Sequence, residues 1–122
     1  MRSPLQVDPA ETHLAKELLP SFKARFQRKG LMEPITFLVR APFESHPDKQ
    51  AVEENLWIEV LSWENDSLVG KLVDGGQQTT EWRKGAEVEI SEELVNALAL
   101  GREGKSLDPD EMRALLVGEK PM

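Results

Sequence analysis

The ten residues Glu54-Asn55-Leu56-Trp57-Ile58-Glu59-Val60-Leu61-Ser62-Trp63 constrain this chain more than any other stretch. Aromatic, β-branched and large aliphatic side chains dominate them, and no glycine or proline interrupts, so they read as one long strand. Alternation puts Leu56, Ile58 and Val60 on one face. Trp57, Leu61 and Trp63 fall on the other, interrupted by Glu59. Apolar side chains on both faces imply a strand covered on both sides, with a helix on one of them.

The helix is expected upstream. Asp8-Pro9-Ala10-Glu11 combines an N-cap, a proline at the first helical position and the spacing of a capping box. Leu14, Leu18, Phe22 and Phe26 then recur every four residues as one apolar stripe, with Leu19 beside it. Pro20 removes a backbone donor inside that stripe and predicts a kink near Leu19 or two abutting helices. Lys23, Arg25, Arg28 and Lys29 suit the C-terminal end of a helix dipole, and Gly30 is a natural stop. Ile35 to Arg40 is a β-rich run closed by Pro42, and residues 42–53 show no period and read as a loop.

Downstream, Asn65-Asp66 predicts a hairpin turn and Ser67 to Val73 its returning strand, with Gly70 marking a bulge or bend. Gly75-Gly76 and the polar residues 77–80 form a second connection. Trp82-Arg83-Lys84-Gly85 then turns into the alternating strand Glu87-Val88-Glu89-Ile90. Ser91 is placed to cap a helix over Glu92 to Leu100. Asp108-Pro109-Asp110-Glu111 opens a last helix in the manner of the first. The expected class is α+β: a small, strongly bent antiparallel sheet of about four strands, an N-terminal helix packed on it, and short C-terminal helices. Residues 1–7 read as a flexible arm, 8–100 as one domain, and 101–122 as a linker and C-terminal helix that could dock on a partner or a second subunit.

The chain has 122 residues, enough for one domain that buries roughly two-thirds of its unfolded surface. Its net charge of −7 argues against a general nucleic-acid binder, which needs a basic face to displace counterions from phosphates. Without cysteine there is no disulfide framework, thiol nucleophile or thiolate metal site. No secretory leader or membrane-length apolar run is visible, so the expected setting is cytoplasmic, with no membrane partner. Asn65-Asp66-Ser67 matches a glycosylation pattern and reads as a turn.

Residues for chemistry are sparse. His13 and His46 do not make a metal site; His46 with Asp48, Glu53 and Glu54 lacks a recognisable ligand spacing. Glu54 and Glu59 face opposite ways on a strand, and Glu53 and Glu59 stand about 20 Å apart, which weakens a paired-carboxylate mechanism. No serine elbow, dinucleotide fingerprint or P-loop occurs. Neither catalytic residues nor a cofactor are expected. Trp57 is expected in the core, and Trp63 and Trp82 partly exposed. The charge distribution is the best functional clue. Residues 44–66 hold seven acids (Glu44, Asp48, Glu53, Glu54, Glu59, Glu64 and Asp66) against Lys49 alone, whereas residues 11–30 hold five bases against two acids. Such an acidic patch steers basic partners.

Several short motifs resemble the bacterial family called domain of unknown function 2314, the YegJ-like proteins. Phe37-Leu38-Val39-Arg40-Ala41-Pro42-Phe43 resembles the strand that leads into its aromatic segment. Glu54-Asn55-Leu56-Trp57-Ile58-Glu59-Val60 is similar to its core Glu-His-x-Trp-Val-x-Val, with Asn55 in the histidine position. Gly70-Lys71-Leu72-Val73-Asp74 resembles the return without its proline, and Lys84-Gly85-Ala86-Glu87-Val88 the close without its aspartate. The resemblance spans about residues 14–95 and implies a bent-sheet domain with an N-terminal helix. It implies no established activity; an immunity-like role is compatible with it.

These readings lead to a non-enzymatic protein-interaction domain. Its contact residues would be Glu44, Asp48, Glu53, Glu54, Trp63, Glu64, Asp66 and Trp82, facing a basic protein. One alternative is a regulatory domain that holds a small molecule between the first helix and the Trp57 face. Another is a hydrolase using His46 with Glu54.

Overall fold

A computed structural model describes residues 8–29, 34–45, 50–76 and 82–116. Helix α1 spans Pro9–Lys29, strand β1 Ile35–Ser45, β2 Val52–Glu64, β3 Ser67–Leu72 and β4 Glu87–Ser91. A 3-10 turn at Glu92–Leu94 leads into β5, Ala97–Arg102, which is followed by β6, Lys105–Ser106, and helix α2, Pro109–Leu116. The expected arm at 1–7, Gly30, His46, Asp48 and the connection at 77–80 lie outside the described residues.

The Asp8 carboxylate accepts the Ala10 N–H at 2.9 Å, so α1 begins where its cap predicts. Ala15, Leu18, Phe22 and Phe26 bury the expected stripe. Pro20 does not divide the helix, which runs unbroken from Pro9 to Lys29. Leu18 and Phe22 pin it to the sheet on either side of the proline. Pro20 and Lys16 are both exposed, so water can take the carbonyl that lost its donor.

All strand pairs are antiparallel, in the order β4-β3-β2-β1-β5-β6. The sheet therefore has six strands where about four were expected. β5 supplies the main difference. Residues 92–100, expected as a helix, form only the 3-10 turn before joining the free side of β1, with Phe37 opposite Leu100 and Val39 opposite Leu98. That pairing buries Leu98 and Leu100 against Phe37 and Val39, and non-local burial overrides the helical propensity of the segment. β6 follows through Glu103 and Gly104, both with positive φ (53° and 80°), the backbone of a tight hairpin turn. The expected linker thus contains the end of β5 and all of β6.

Strand β1 continues past Pro42 to Ser45, and β2 starts at Val52, so much of the expected 42–53 loop is hairpin. The proline is tolerated because β5 pairs with β1 only as far as Arg40, leaving an open side beyond it.

The helix-facing layer of the sheet contains Phe37, Val39, Ala41, Leu56, Ile58, Val60, Leu68 and Leu72, all buried. Trp63 joins them because of a bulge. Val60 registers with Gly70 but Ser62 with Val69, so Leu61 is an extra residue and Trp63 turns to the helix side. Its ring lies 6.0 Å from Phe22 and 6.4 Å from Phe26, and both phenylalanines meet Phe37 edge-on at 5.3 Å. Fully burying one such ring contributes about 2–3 kcal/mol.

Helix α2 begins with the reciprocal pair that Asp108 and Glu111 promise. The Asp108 N–H donates to Glu111 Oε1 at 3.0 Å, and the Glu111 N–H to Asp108 Oδ1 at 2.7 Å. At α1 the same spacing does not close; Glu11 reaches Arg40 instead. α2 packs on α1, with Met112 buried and Arg113 paired with Glu17.

Opposite the bulge, a Cβ on Gly70 would come well under 3.0 Å from the Glu59 carbonyl oxygen and the Ile58 side chain. Gly70→Ala is expected to lower unfolding stability by about 3 kcal/mol, read as a drop in the urea midpoint. An unchanged midpoint would contradict this placement.

Candidate functional site

The predicted contact residues do not form one patch. Glu44 and Glu53 are exposed and directly opposite one another near the outer end of the β1–β2 hairpin. Trp82 joins them: its indole N–H donates to the Glu44 carbonyl oxygen at 3.2 Å, and its ring meets Phe43 at 5.0 Å. Trp82 is half-buried, as expected. Glu64 and Asp66 are exposed at the far end of β2, about 35 Å away along a strand rising about 3.3 Å per residue.

Two predicted contacts are in the interior. Glu54, opposite Phe43, faces the helix side and is only 7% exposed. Strand alternation from Glu53 sends it inward, so it is no part of an acidic surface. Trp63, expected partly exposed, is 4% exposed because the bulge rotates it into the core. Trp57, expected in the core, is half-buried on the opposite sheet face, with the Arg40 guanidinium 5.6 Å from its ring centre. Trp57 and α1 therefore lie on opposite faces of the sheet and do not enclose the small-molecule space expected between them.

Trp63 anchors a charged contact at the edge of that core. Its Nε1–H donates to Glu92 Oε1 at 2.9 Å, and Lys23 Nζ lies 2.8 Å from the same oxygen. Lys23 also donates to the Asn65 carbonyl oxygen, and Gln27 to that of Trp63. Burial pushes the Glu92 carboxyl up, but the hydrogen bonds from Lys23 and Trp63 outweigh it and hold the group below the ordinary carboxylate value.

A second polar cluster was not foreseen. Arg40 stands at the last position where β1 registers with β5. Its Nη2 lies 3.0 Å from Glu11 Oε1, and its Nε–H donates to Asn96 Oδ1 at 2.9 Å. Asn96 Nδ2 donates in turn to Asn55 Oδ1 at 2.7 Å, and its backbone N–H to the Arg40 carbonyl oxygen at 2.8 Å. This chain of contacts ties the first turn of α1, the middle of β1, and β2 to the start of β5. The guanidinium is engaged by a carboxylate, an amide and an indole face, which makes it a clamp. Its only sequence signal is an arginine at an outward position directly after the apolar run Phe37 to Val39.

Among the described residues no three His, Asp or Glu side chains converge as metal ligands. His13 is exposed on α1. A cleft between the start of α1, β5 and α2, lined by Leu14, Leu98, Leu107 and Met112, has a volume of about 100 Å³. Ligand pockets usually span about 300–1,000 Å³, so it suits a few waters better than a metabolite. Among the described residues no helix is long and apolar enough to cross a membrane.

An α+β domain with one helix over a six-stranded antiparallel sheet is the class that this geometry defines. The chain belongs to the family described as an uncharacterized protein conserved in bacteria, domain of unknown function 2314, which matches residues 10–105. No curated protein and no solved structure matches it.

Because the folded-state value of Glu92 lies below its unfolded one, its stabilisation is complete above pH 4.5 and fades as pH falls through the lower folded value. Glu92→Gln should cost about 1 kcal/mol at neutral pH, a value discounted for partial exposure. Urea titrations should show the difference between the two proteins shrinking as pH falls below 4.5; a constant difference across that range would refute the linkage.

Proposed function

We propose that this chain is a non-enzymatic interaction domain that binds a basic protein at the outer end of the β1–β2 hairpin. What supports the reading is the direct opposition of the exposed Glu44 and Glu53 beside the half-buried Trp82. Cross-strand partners hold their Cβ atoms about 4.5–5.5 Å apart, so two carboxylates share one small volume. A lysine or arginine entering that volume gains from both. The net charge of −7 draws such a partner in, and the indole offers a rigid surface for it to rest on. Inhibition of a basic protein, as an immunity protein performs it, is the sharpest form of this role.

The test is affinity capture from the native host at low and high salt with two variants. Glu44→Lys/Glu53→Lys should reduce recovery of a basic partner at least tenfold at low salt. Glu64→Lys/Asp66→Lys, at the opposite end of β2, should leave it within about twofold. Equal recovery with all three proteins, or equal loss in both variants, would overturn the assignment.

A further inference from the structure

The outer side of β4 has a geometry that the acidic hairpin does not account for. β4 ends the sheet order, and its one strand partner among the described residues is β3. The phase of that ladder follows from the bonds that flank it. The Leu72 N–H donates to the Ala86 carbonyl oxygen at 3.0 Å, and the Glu92 N–H to that of Asp66 at 2.8 Å, both in the register that pairs Lys71 with Glu87 and Ser67 with Ser91. Only alternate pairs of an antiparallel ladder exchange N–H···O bonds. The exchanging pairs are therefore Gly70 with Val88 and Leu68 with Ile90. Glu87 and Glu89 direct their backbone N–H and C=O groups away from β3, to the open side.

Alternation also fixes the side chains. Ile90 is buried on the helix side, whereas Glu87 and Glu89 are exposed on the other face. Glu87 has Lys71 opposite it on β3, and the Ser67 hydroxyl donates to Glu89 Oε2 at 2.7 Å. Proteins blunt open edges with prolines, bulges, short strands or charges. Of these β4 carries its short length and two glutamates, which repel acidic or like-charged segments. β4 contains no proline and keeps an uninterrupted register with β3.

We propose that this edge is a strand-addition site for an extended segment with Lys or Arg at alternate positions. The inference rests on the reading of a basic partner and specifies how part of it is held. Main-chain bonds to Glu87 and Glu89 supply the register, and cations opposite the two carboxylates supply the selectivity. A second copy of the chain fits poorly, because β4 against β4 would set Glu87 and Glu89 against their own equivalents, and like charges directly opposite destabilise a pair.

The test uses the full chain and two synthetic peptides, Lys-Val-Lys-Val-Lys and Glu-Val-Glu-Val-Glu, with amide hydrogen exchange followed by NMR. In the free protein the Glu87 and Glu89 amides should exchange faster than those of Val88 and Ile90, by about 100-fold. The basic peptide should slow Glu87 and Glu89 at least tenfold, and the acidic one should not. Glu89→Gln should weaken binding several-fold. Glu89→Pro should abolish it while Val88 and Ile90 stay protected, since proline is tolerated where the N–H faces outward. Protection by both peptides or by neither, binding by Glu89→Pro equal to the wild type, or a dimer built on this edge would overturn the proposal. If Glu44→Lys/Glu53→Lys loses the captured partner while Glu89→Pro retains it, the edge proposal fails and the acidic hairpin reading stands. If neither variant loses it, both fail.

Discussion

The register slip at Leu61 is the constraint on which the rest of the structure depends. Without it, Trp63 would continue the outward face of β2, and the core would lose the ring that Phe22 and Phe26 pack against. The slip requires close approach of β3 at Gly70, where a side chain would strike the Glu59 carbonyl. One glycine and one inserted residue therefore decide where the longest strand puts its second tryptophan. They also set how α1 lies, because Lys23 and Gln27 reach the turn end of the sheet through contacts centred on that ring.

Charge in this domain is divided between two tasks. Glu92, Glu11 and Glu17 each pair with a basic group on another element, so they hold helices to the sheet or to one another. Glu44, Glu53, Glu87 and Glu89 lie on exposed strand positions and shape the field outside. A tally of acids along the chain merges these groups. Their separation is set by pairing: alternation turns Glu53 outward and Glu54 inward from adjacent positions.

The C-terminal helix lies beyond the residues that the family matches. The family match ends at residue 105, and α2 begins at Pro109. An isolated helix of eight residues is too short to be stable in water, so α2 owes its form to docking and to its closed capping pair. Met112 supplies the apolar anchor and Arg113 an exposed ion pair with Glu17. The cleft of about 100 Å³ beside Met112 shows that the fit is incomplete.

The sequence alone determined what short-range physics controls. The cap and stripe of α1, β1 to β4, the Asn65-Asp66 turn and the Asp108 capping box all follow from neighbours within a few residues. Tertiary structure decided the rest. Residues 97–102 became a strand because β1 had an open side to fill, although their spacing suits a helix. Glu103 adopted a positive φ that its residue type does not announce. Trp63 entered the core because one inserted residue reverses a period of two, and Trp57 stayed outward because α1 covers the face that carries Leu56 and Ile58. Arg40, Asn55 and Asn96 met only once β5 had paired. Each of these outcomes depends on partners far away in the chain, where local propensity carries no information.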